Sequence, residues 1–329
     1  MLFIHPITNY VFPDQDYRGY IYFFLFAQLV VSLNNFSYGV ANGLGKNGAY
    51  AVFLLLGNVI AAIVAVYCIK FYGLWGAVVA IIAPTLFPFI PISFYALKRR
   101  FIKHIQFDSV FHDCRLLAKF SMMRFGSAIC FPIVEIIVNN QIKALLGLES
   151  AGFWQAITKL STAYLCFYSM FLTFYFLPLI ASLFEKNRIV KEVNKMMLIL
   201  GVSFVVMIFV FFVFKDIIIC RALSDQFLPI GDLMVLQMVG DFFRVLGWVI
   251  GFVVISRAAT KLYLLGEFFQ GAVFVIMSYF VLMSHHDLQG VIVAYVITCF
   301  LYCMLSVIIF ICFFAKKNGF SGVYETKFG

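Results

Sequence analysis

The chain has 329 residues, of which 64% are hydrophobic and only 12% are charged, and its mean hydropathy is +1.01. Soluble domains of ordinary usage are about half apolar and a quarter charged, so this composition excludes a typical soluble enzyme or binding module. The meaning of the formal net charge of +9 depends on the positions of the Lys and Arg residues along the chain. We expect an all-α, polytopic membrane helical bundle.

Apolar segments long enough to cross a bilayer recur along the whole chain. A membrane-spanning helix needs roughly 20 predominantly apolar residues. Nine complete segments meet this requirement, near residues 19–41, 48–69, 76–97, 119–143, 151–182, 195–214, 232–255, 260–283 and 289–315. Little of the chain is left over for a soluble domain.

The basic residues fall mostly on one set of alternate connections. Sixteen of the 24 lie there, five lie on the opposite side, and three lie within the spans. Because cytoplasmic loops retain Lys and Arg, the C-terminus is predicted to be cytoplasmic and Met1 to lie on the outer face. The net charge is therefore loop charge of the positive-inside kind, and no nucleic-acid partner is expected.

The longest cytoplasmic connection, residues 98–118, divides the chain into two parts. It is basic at its start and interleaves apolar with polar residues, which suits either a helix on the membrane surface or an ordinary basic loop. Residues 1–97 before it hold three spans, and residues 119–329 after it hold six spans and a short tail. An odd number of spans with Met1 outside leads us to expect an N-terminally short chain, with three further helices needed for twelve.

Three cations lie inside predicted spans: Arg124, Lys159 and Arg244. A charge in hydrocarbon is costly unless it faces the bundle interior, water or a partner, so the first interpretation is a ligand site or pathway. Lys159 lies eight residues past Ala151, which is about 12 Å along a helix. Snorkelling to the interface or a structural ion pair is the alternative for any one of them.

Other polar residues share helix faces with these cations. Glu135 follows Arg124 by eleven residues, close to three helical turns, and Asn139 extends that face by one turn. In the seventh span, Asp241 and Arg244 stand three residues apart, a spacing at which they can pair directly.

The fifth and eighth spans carry similar polar stripes. Gln155, Lys159 and Thr162 follow the i, i+4, i+7 spacing of one face of the fifth span, and Glu267 and Gln270 stand three apart in the eighth. Such stripes on apolar helices predict a polar cavity within the bundle.

Motifs for covalent chemistry are absent from the sequence. It contains no nucleophile elbow, zinc-protease helix or dinucleotide loop, so no catalytic residues, no cofactor and no enzyme activity are expected. No metal site is predicted either, because His285-His286-Asp287 lies in a short outer turn without nearby partners. Energy for transport would come from an ion gradient, and the coupling candidates are Glu135, Asp241 and Glu267.

Several short motifs together resemble the Wzx-type polysaccharide flippases. They are Gly152-Phe153-Trp154-Gln155, Leu177-Pro178 with Glu185-Lys186, Val239-Gly240-Asp241 with Arg244-Val245, Leu262-Tyr263 with Glu267 and Gln270, and the outer turn Tyr72-Gly73-Leu74-Trp75-Gly76-Ala77. Their order and spacing agree over nearly the whole chain.

The resemblance implies the fold of the multidrug/oligosaccharidyl-lipid/polysaccharide exporter superfamily, twelve helices in two six-helix lobes, of which this chain would supply helices four to twelve. It also implies the bacterial inner membrane and a substrate, an undecaprenyl-pyrophosphate-linked oligosaccharide carried from the cytoplasmic to the periplasmic leaflet by alternating access. Besides this glycan, the expected partners are membrane lipids, with a glycan polymerase and a chain-length regulator as further candidates.

The polar residues fit such a substrate. Cationic side chains in a cavity of low dielectric neutralise a pyrophosphate while donating hydrogen bonds to it, a role for Arg124, Lys159 and Arg244. Glycans bind to amides, hydroxyls and aromatic faces. The candidates for these contacts are Gln155, Asn139, Thr162, Trp154 and Tyr164.

Three alternatives remain at this stage. A drug/cation antiporter of the same superfamily would favour acidic over basic cavity residues. A membrane-embedded glycan polymerase or ligase would act on the same lipid-linked substrates, although such enzymes usually display a large outer loop. A non-transporting partner in a glycan-assembly complex is the third.

Overall fold

The computed structural model describes residues 18–43, 56–73, 76, 80, 110–257 and 259–315. All regular elements within these ranges are helices, which confirms the predicted all-α class. The chain forms two compact units, Met1–Ser109 and Val110–Gly329.

The first unit contributes two described helices. Helix α1 is Arg18–Gly43, apolar over Tyr22–Leu33, and α2 is Leu56–Gly73. The predicted span at 76–97 and the connection at 98–109 fall almost wholly outside the described residues. The rest of the predicted connection, 110–118, is helical and continuous with the next span.

Helix α3, Val110–Phe171, contains a sharp break at Gly147. There φ is 89° and ψ is −179°, a backbone conformation that essentially only glycine adopts without strain. Glu135 and Lys159 lie twelve residues before and after Gly147, about 36 Å apart on a straight helix. Their Oε1 and Nζ atoms are 4.0 Å apart, so α3 folds back into two antiparallel arms, 110–146 and 148–171.

The second arm ends in a change of helix type. A π-helical turn, Leu172–Phe176, leads into the short helix α4, Leu177–Ser182, whose first turn contains Pro178. Because proline has no N–H to donate to the preceding turn, the chain widens there and does not continue as a regular α-helix.

Four long helices complete the second unit: α5 Lys186–Ala222, α6 Gly231–Ser256, α7 Thr260–His285 and α8 Leu288–Ala315. A short 3-10 helix, Asp225–Ile230, connects α5 with α6. They contain the spans predicted near 195–214, 232–255, 260–283 and 289–315.

Six helical stretches among the described residues are long and apolar enough to cross a membrane. One of them, Ala128–Ser182, is 55 residues long and contains the later part of the predicted span 119–143 and all of the predicted span 151–182. The chain is therefore a polytopic helical membrane protein, while the count of nine spans and the two lobes stay predictions.

Helices α6 and α8 form the most buried part of the second unit. They approach closely because glycines of α6 face the rings of two tyrosines on α8. A Cβ atom at Gly240 would lie 2.8 Å from Tyr295 Cδ1, and one at Gly247 would lie 2.6 Å from Tyr302 Cε1. Small residues of this kind let helix backbones pack closely inside a membrane.

Arg257 ties the end of α6 to the end of α4. Its Nη2 donates to the carbonyl oxygens of Ile180, at 3.3 Å, and of Leu183, and its guanidinium lies 5.9 Å from the centre of the Phe184 ring. The last carbonyls of a helix lack a regular intrahelical partner; Ile180 O also accepts from Leu183 N at 3.3 Å, and the arginine adds a charged donor to both carbonyls.

Candidate functional site

An open pocket lies between the first arm of α3, α6, α7 and α8. The space in it, including its mouth, amounts to about 540 Å³. Its apolar lining includes Phe131 and Phe274, and its polar lining comes from Glu135, Arg244, Glu267, Gln270, Tyr295 and Thr298. A mostly apolar pocket with a few convergent polar groups is the usual form of a ligand site.

Arg244 on α6 is held on three sides. Its guanidinium carbon lies 4.9 Å from the centre of the Phe131 ring and 5.3 Å from that of Trp248. Nη1 donates a 3.1 Å hydrogen bond to the Tyr295 hydroxyl, whereas the buried Nε has no hydrogen-bond partner among the described residues. Since a guanidinium carries five N–H donors, Arg244 keeps donors for a ligand.

Asp241, one turn before Arg244, is completely buried. Its Oδ2 accepts hydrogen bonds from Ser161 Oγ and the Tyr164 hydroxyl, each at 2.5 Å, and its Oδ1 accepts one from the Tyr295 hydroxyl at 2.5 Å. The carboxylate is thus surrounded by three hydroxyl donors from the second arm of α3 and from α8.

Asp241 and Arg244, whose spacing would allow direct pairing, are connected through a third residue. The Tyr295 hydroxyl lies between them, donating to Asp241 and accepting from Arg244. Residues three apart are offset by about 60° around a helix. Asp241 therefore points to the second arm of α3, while Arg244 points to Phe131 on the first arm.

Lys159 lies beside the pocket but not in its lining. Its Nζ is 4.0 Å from Glu135 Oε1, and its side chain is 75% exposed against 28% for Glu135. Glu135 also lines the pocket that contains Arg244. Glu135 is therefore both the ion-pair partner of Lys159 and part of the pocket that contains Arg244.

The polar stripe of the fifth span lies on one exposed face of the second arm. Gln155, Lys159 and Thr162 are all exposed, and the Thr162 hydroxyl donates to the Thr158 carbonyl oxygen at 2.7 Å. This hydrogen bond stays within the helix.

Two further predicted residues lie elsewhere. Trp154 is 3% exposed and packs in the core, with its ring centre 5.9 Å from that of Phe274, and its Nε1 has no hydrogen-bond partner among the described residues. Asn139 is half-buried on the first arm, and its Oδ1 likewise lacks a partner among them. Neither residue belongs to the lining of the pocket.

The last two predicted residues are Glu267 and Arg124. Glu267 on α7 lines the same pocket as Arg244 and Gln270, and Gln270 Nε2 contacts Cys299 Sγ at 3.7 Å. Arg124 lies on the helical first arm of α3, and its side chain falls outside the described residues.

The sequence reasoning missed Tyr295, which connects the two charges of α6, and Ser161, which donates to Asp241. The sequence did contain a signal that could have identified these residues. A buried carboxylate needs donors, and hydroxyls at a similar depth in other spans, Ser161 with Tyr164 and Tyr295, are the residues that provide them.

Comparison with known proteins finds two similar curated proteins. The chain is 26% identical over 309 residues to the lipid III flippase of Escherichia coli (strain K12), which covers 93% of this chain and 74% of that protein. The lipid III flippase of Shigella flexneri matches with the same values. No family model and no solved structure matches. The similarity confirms the resemblance to Wzx-type flippases inferred from the motifs, and both relatives carry the name of a transporter, not of an enzyme.

Proposed function

We propose that this relative of lipid III flippases is a flippase for an undecaprenyl-pyrophosphate-linked oligosaccharide, either lipid III or an O-antigen-type repeat unit. It would carry this substrate from the cytoplasmic to the periplasmic leaflet of the bacterial inner membrane. The observation that carries the proposal is the similarity to lipid III flippases over 93% of the chain. The pocket around Arg244 supports it.

The pyrophosphate would bind at the pocket. Arg244 is hydrogen-bonded there to Tyr295 and keeps unused N–H donors, and a guanidinium pairs well with phosphate oxygens. Lys159 would approach the same anion by leaving Glu135, a pair whose long separation and exposed lysine make it weak. Arg124 is proposed as the third cation.

The glycan would lie along the exposed stripe of the second arm, on Gln155 and Thr162, with Asn139 as a further contact; the buried Trp154 would support this arm from the core. The lipid tail would stay in the bilayer. In this proposal nine spans form two lobes, residues 1–97 and 119–329, which expose the substrate alternately to the two sides. The C-terminus would be cytoplasmic, and Met1 would lie on the periplasmic side.

An ion gradient would drive the cycle, with Glu135, Asp241 and Glu267 as candidate coupling acids. A glycan polymerase and a chain-length regulator would receive the exported unit. These partners and the coupling follow from the proposed function and would be tested after it.

The decisive experiment uses proteoliposomes that contain the purified chain and an undecaprenyl-pyrophosphate-linked oligosaccharide with a fluorescent sugar. Movement between leaflets is measured by the fraction of fluorescence that a membrane-impermeant quencher reaches. Arg244→Ala is expected to abolish movement at normal insertion. Lys191→Ala, which removes an exposed cation at the start of α5, is the matched control and should behave as wild type.

Absence of movement with the wild-type chain would refute the flippase proposal. Wild-type movement that survives Arg244→Ala would refute the role of the pocket. For Arg124 we expect Arg124→Lys to keep partial transport, since the charge survives while the bidentate geometry is lost. Equal loss with Lys and with Ala would show that charge alone is insufficient.

A drug/cation antiporter is the second candidate, because three carboxylates, Glu135, Asp241 and Glu267, lie in or next to the pocket. The same proteoliposomes distinguish the two. Proton-driven uptake of tetraphenylphosphonium without movement of the labelled lipid would favour the antiporter.

A further inference from the structure

The hydrogen bonds around Asp241 have a fixed direction. Ser161, Tyr164 and Tyr295 each donate their hydroxyl proton to its carboxylate oxygens. Having donated its proton, the Tyr295 oxygen has only lone pairs left to offer. Those lone pairs face Arg244 Nη1, at 3.1 Å.

The tyrosine itself has little freedom to move. Its side chain is buried, its ring lies edge-on to Phe274 with centres 5.4 Å apart, and Gly240 on α6 leaves only enough room for its ring edge. Asp241 holds its hydroxyl from the far side. The oxygen that faces Arg244 is thus fixed by contacts with α6 and α7.

The orientation of the Arg244 guanidinium, in contrast, depends on its hydrogen bond to the Tyr295 hydroxyl oxygen. The rings of Phe131 and Trp248 contact the guanidinium, but an aromatic ring offers no directional acceptor that would fix where the N–H groups point. The Tyr295 oxygen is the hydrogen-bond acceptor that Arg244 has among the described residues. It therefore determines where the remaining N–H donors point.

We propose that Tyr295 is a positioning residue, which orients Arg244 so that its unused donors face an anionic ligand in the pocket. The proposal rests on the proposed function for the identity of that ligand, a pyrophosphate ester, but not for the orientation itself. Asp241 acts on Arg244 indirectly, because it accepts the hydrogen bond that holds the Tyr295 hydroxyl. It does not need to contact the substrate.

The test is Tyr295→Phe, which keeps the ring and removes the hydroxyl. Two matched hydroxyl deletions serve as controls. Tyr164→Phe takes a donor from the same carboxylate without touching Arg244, and Tyr302→Phe removes a hydroxyl from a buried tyrosine two turns further along α8. All three are compared in the full chain, purified in lipid nanodiscs.

The first readout is the orientation of Arg244 without any ligand. In the ¹⁵N spectrum of the arginine-labelled protein, the Arg244 signals are identified by their loss in Arg244→Lys. Separate Nη signals are expected for the wild type and for both controls, because the group is held in one orientation. Averaged signals are expected for Tyr295→Phe. Separate signals in Tyr295→Phe, or averaging in Tyr164→Phe as well, would overturn the proposal.

The second readout is the affinity for undecaprenyl pyrophosphate. Loss of a hydrogen bond to a charged group predicts about tenfold weaker binding for Tyr295→Phe and unchanged binding for Tyr302→Phe. In an Arg244→Ala background, Tyr295→Phe should have no further effect. A persisting tenfold loss in that background would mean that Tyr295 touches the ligand itself, against the proposal.

The two readouts keep this inference separate from the proposed function. If the wild-type chain binds no undecaprenyl pyrophosphate while the Arg244 signals average only in Tyr295→Phe, the ligand assignment fails and the positioning role stands. If the wild type binds and Tyr295→Phe matches Tyr302→Phe in both readouts, the positioning role fails and the ligand assignment stands.

Discussion

Replacing Gly240 by alanine is expected to destabilise the second unit by crowding the contact between α6 and α8. The new Cβ would lie 2.8 and 2.9 Å from two ring carbons of Tyr295 and 3.3 Å from Val296 Cα. Carbon atoms prefer about 3.5 to 4.0 Å, so the overlap is roughly 1 Å. The ring is buried and the second neighbour is backbone, so neither yields easily, and the expected cost is about 1–3 kcal/mol.

The measurement is the free energy of unfolding in a mixed-micelle titration with dodecyl sulfate. Gly201→Ala is the matched control, because a Cβ there would meet its nearest atoms, on Phe242 and Leu246, at ordinary distances of 3.8 and 3.9 Å. Alanine in the interior of α5 should then be neutral or stabilise by up to about 1 kcal/mol. Equal unfolding free energies for Gly240→Ala and Gly201→Ala would refute the close-packing argument.

Two further predictions use the same titration. Gly147→Ala should cost about 1–3 kcal/mol because φ is 89° in the turn between the arms, although a Cβ there has open space. Gly152→Ala, which also has open space but no positive φ, should cost nothing, and equal costs would contradict the strain argument. Arg257→Gln should cost about 1–3 kcal/mol, since the helix-end carbonyls of Ile180 and Leu183 lose a charged donor; an unchanged unfolding free energy would show that water replaces it.

The membrane-spanning helices were predictable because a hydrocarbon core of fixed thickness sets the minimum length of an apolar segment. The residues at which these helices begin and end were harder to predict. Helix α5 begins at Lys186, nine residues before the predicted span, and continues to Ala222. The bilayer limits where apolar residues must lie but gives no reason for a helix to stop at the surface, so polar turns extend it.

The site was predictable only up to the level of single helix faces. Depth in a span pointed to Asp241, which is buried, and to Arg244, which is partly buried and lines the pocket, and the stripe through Lys159 lies on one exposed face. What touches a face depends on which helices are neighbours, and periodicity along one helix carries no such information. This is why Tyr295, 51 residues further on, was missed as the partner of Arg244.

The ring of Tyr295 packs against Gly240, and its hydroxyl binds Arg244. The effects of packing and of hydrogen bonding on transport can therefore be separated. Gly240 and Gly247 stand two turns apart on one face of α6, and an added Cβ would crowd a tyrosine ring of α8 at either position, at 2.8 and 2.6 Å. The costs in stability should therefore be similar. Only the ring at Gly240 carries the hydroxyl that holds Arg244. Gly240→Ala should therefore impair transport more than Gly247→Ala at equal stability, whereas equal transport in the two variants would mean that packing at Tyr295 does not influence the pocket.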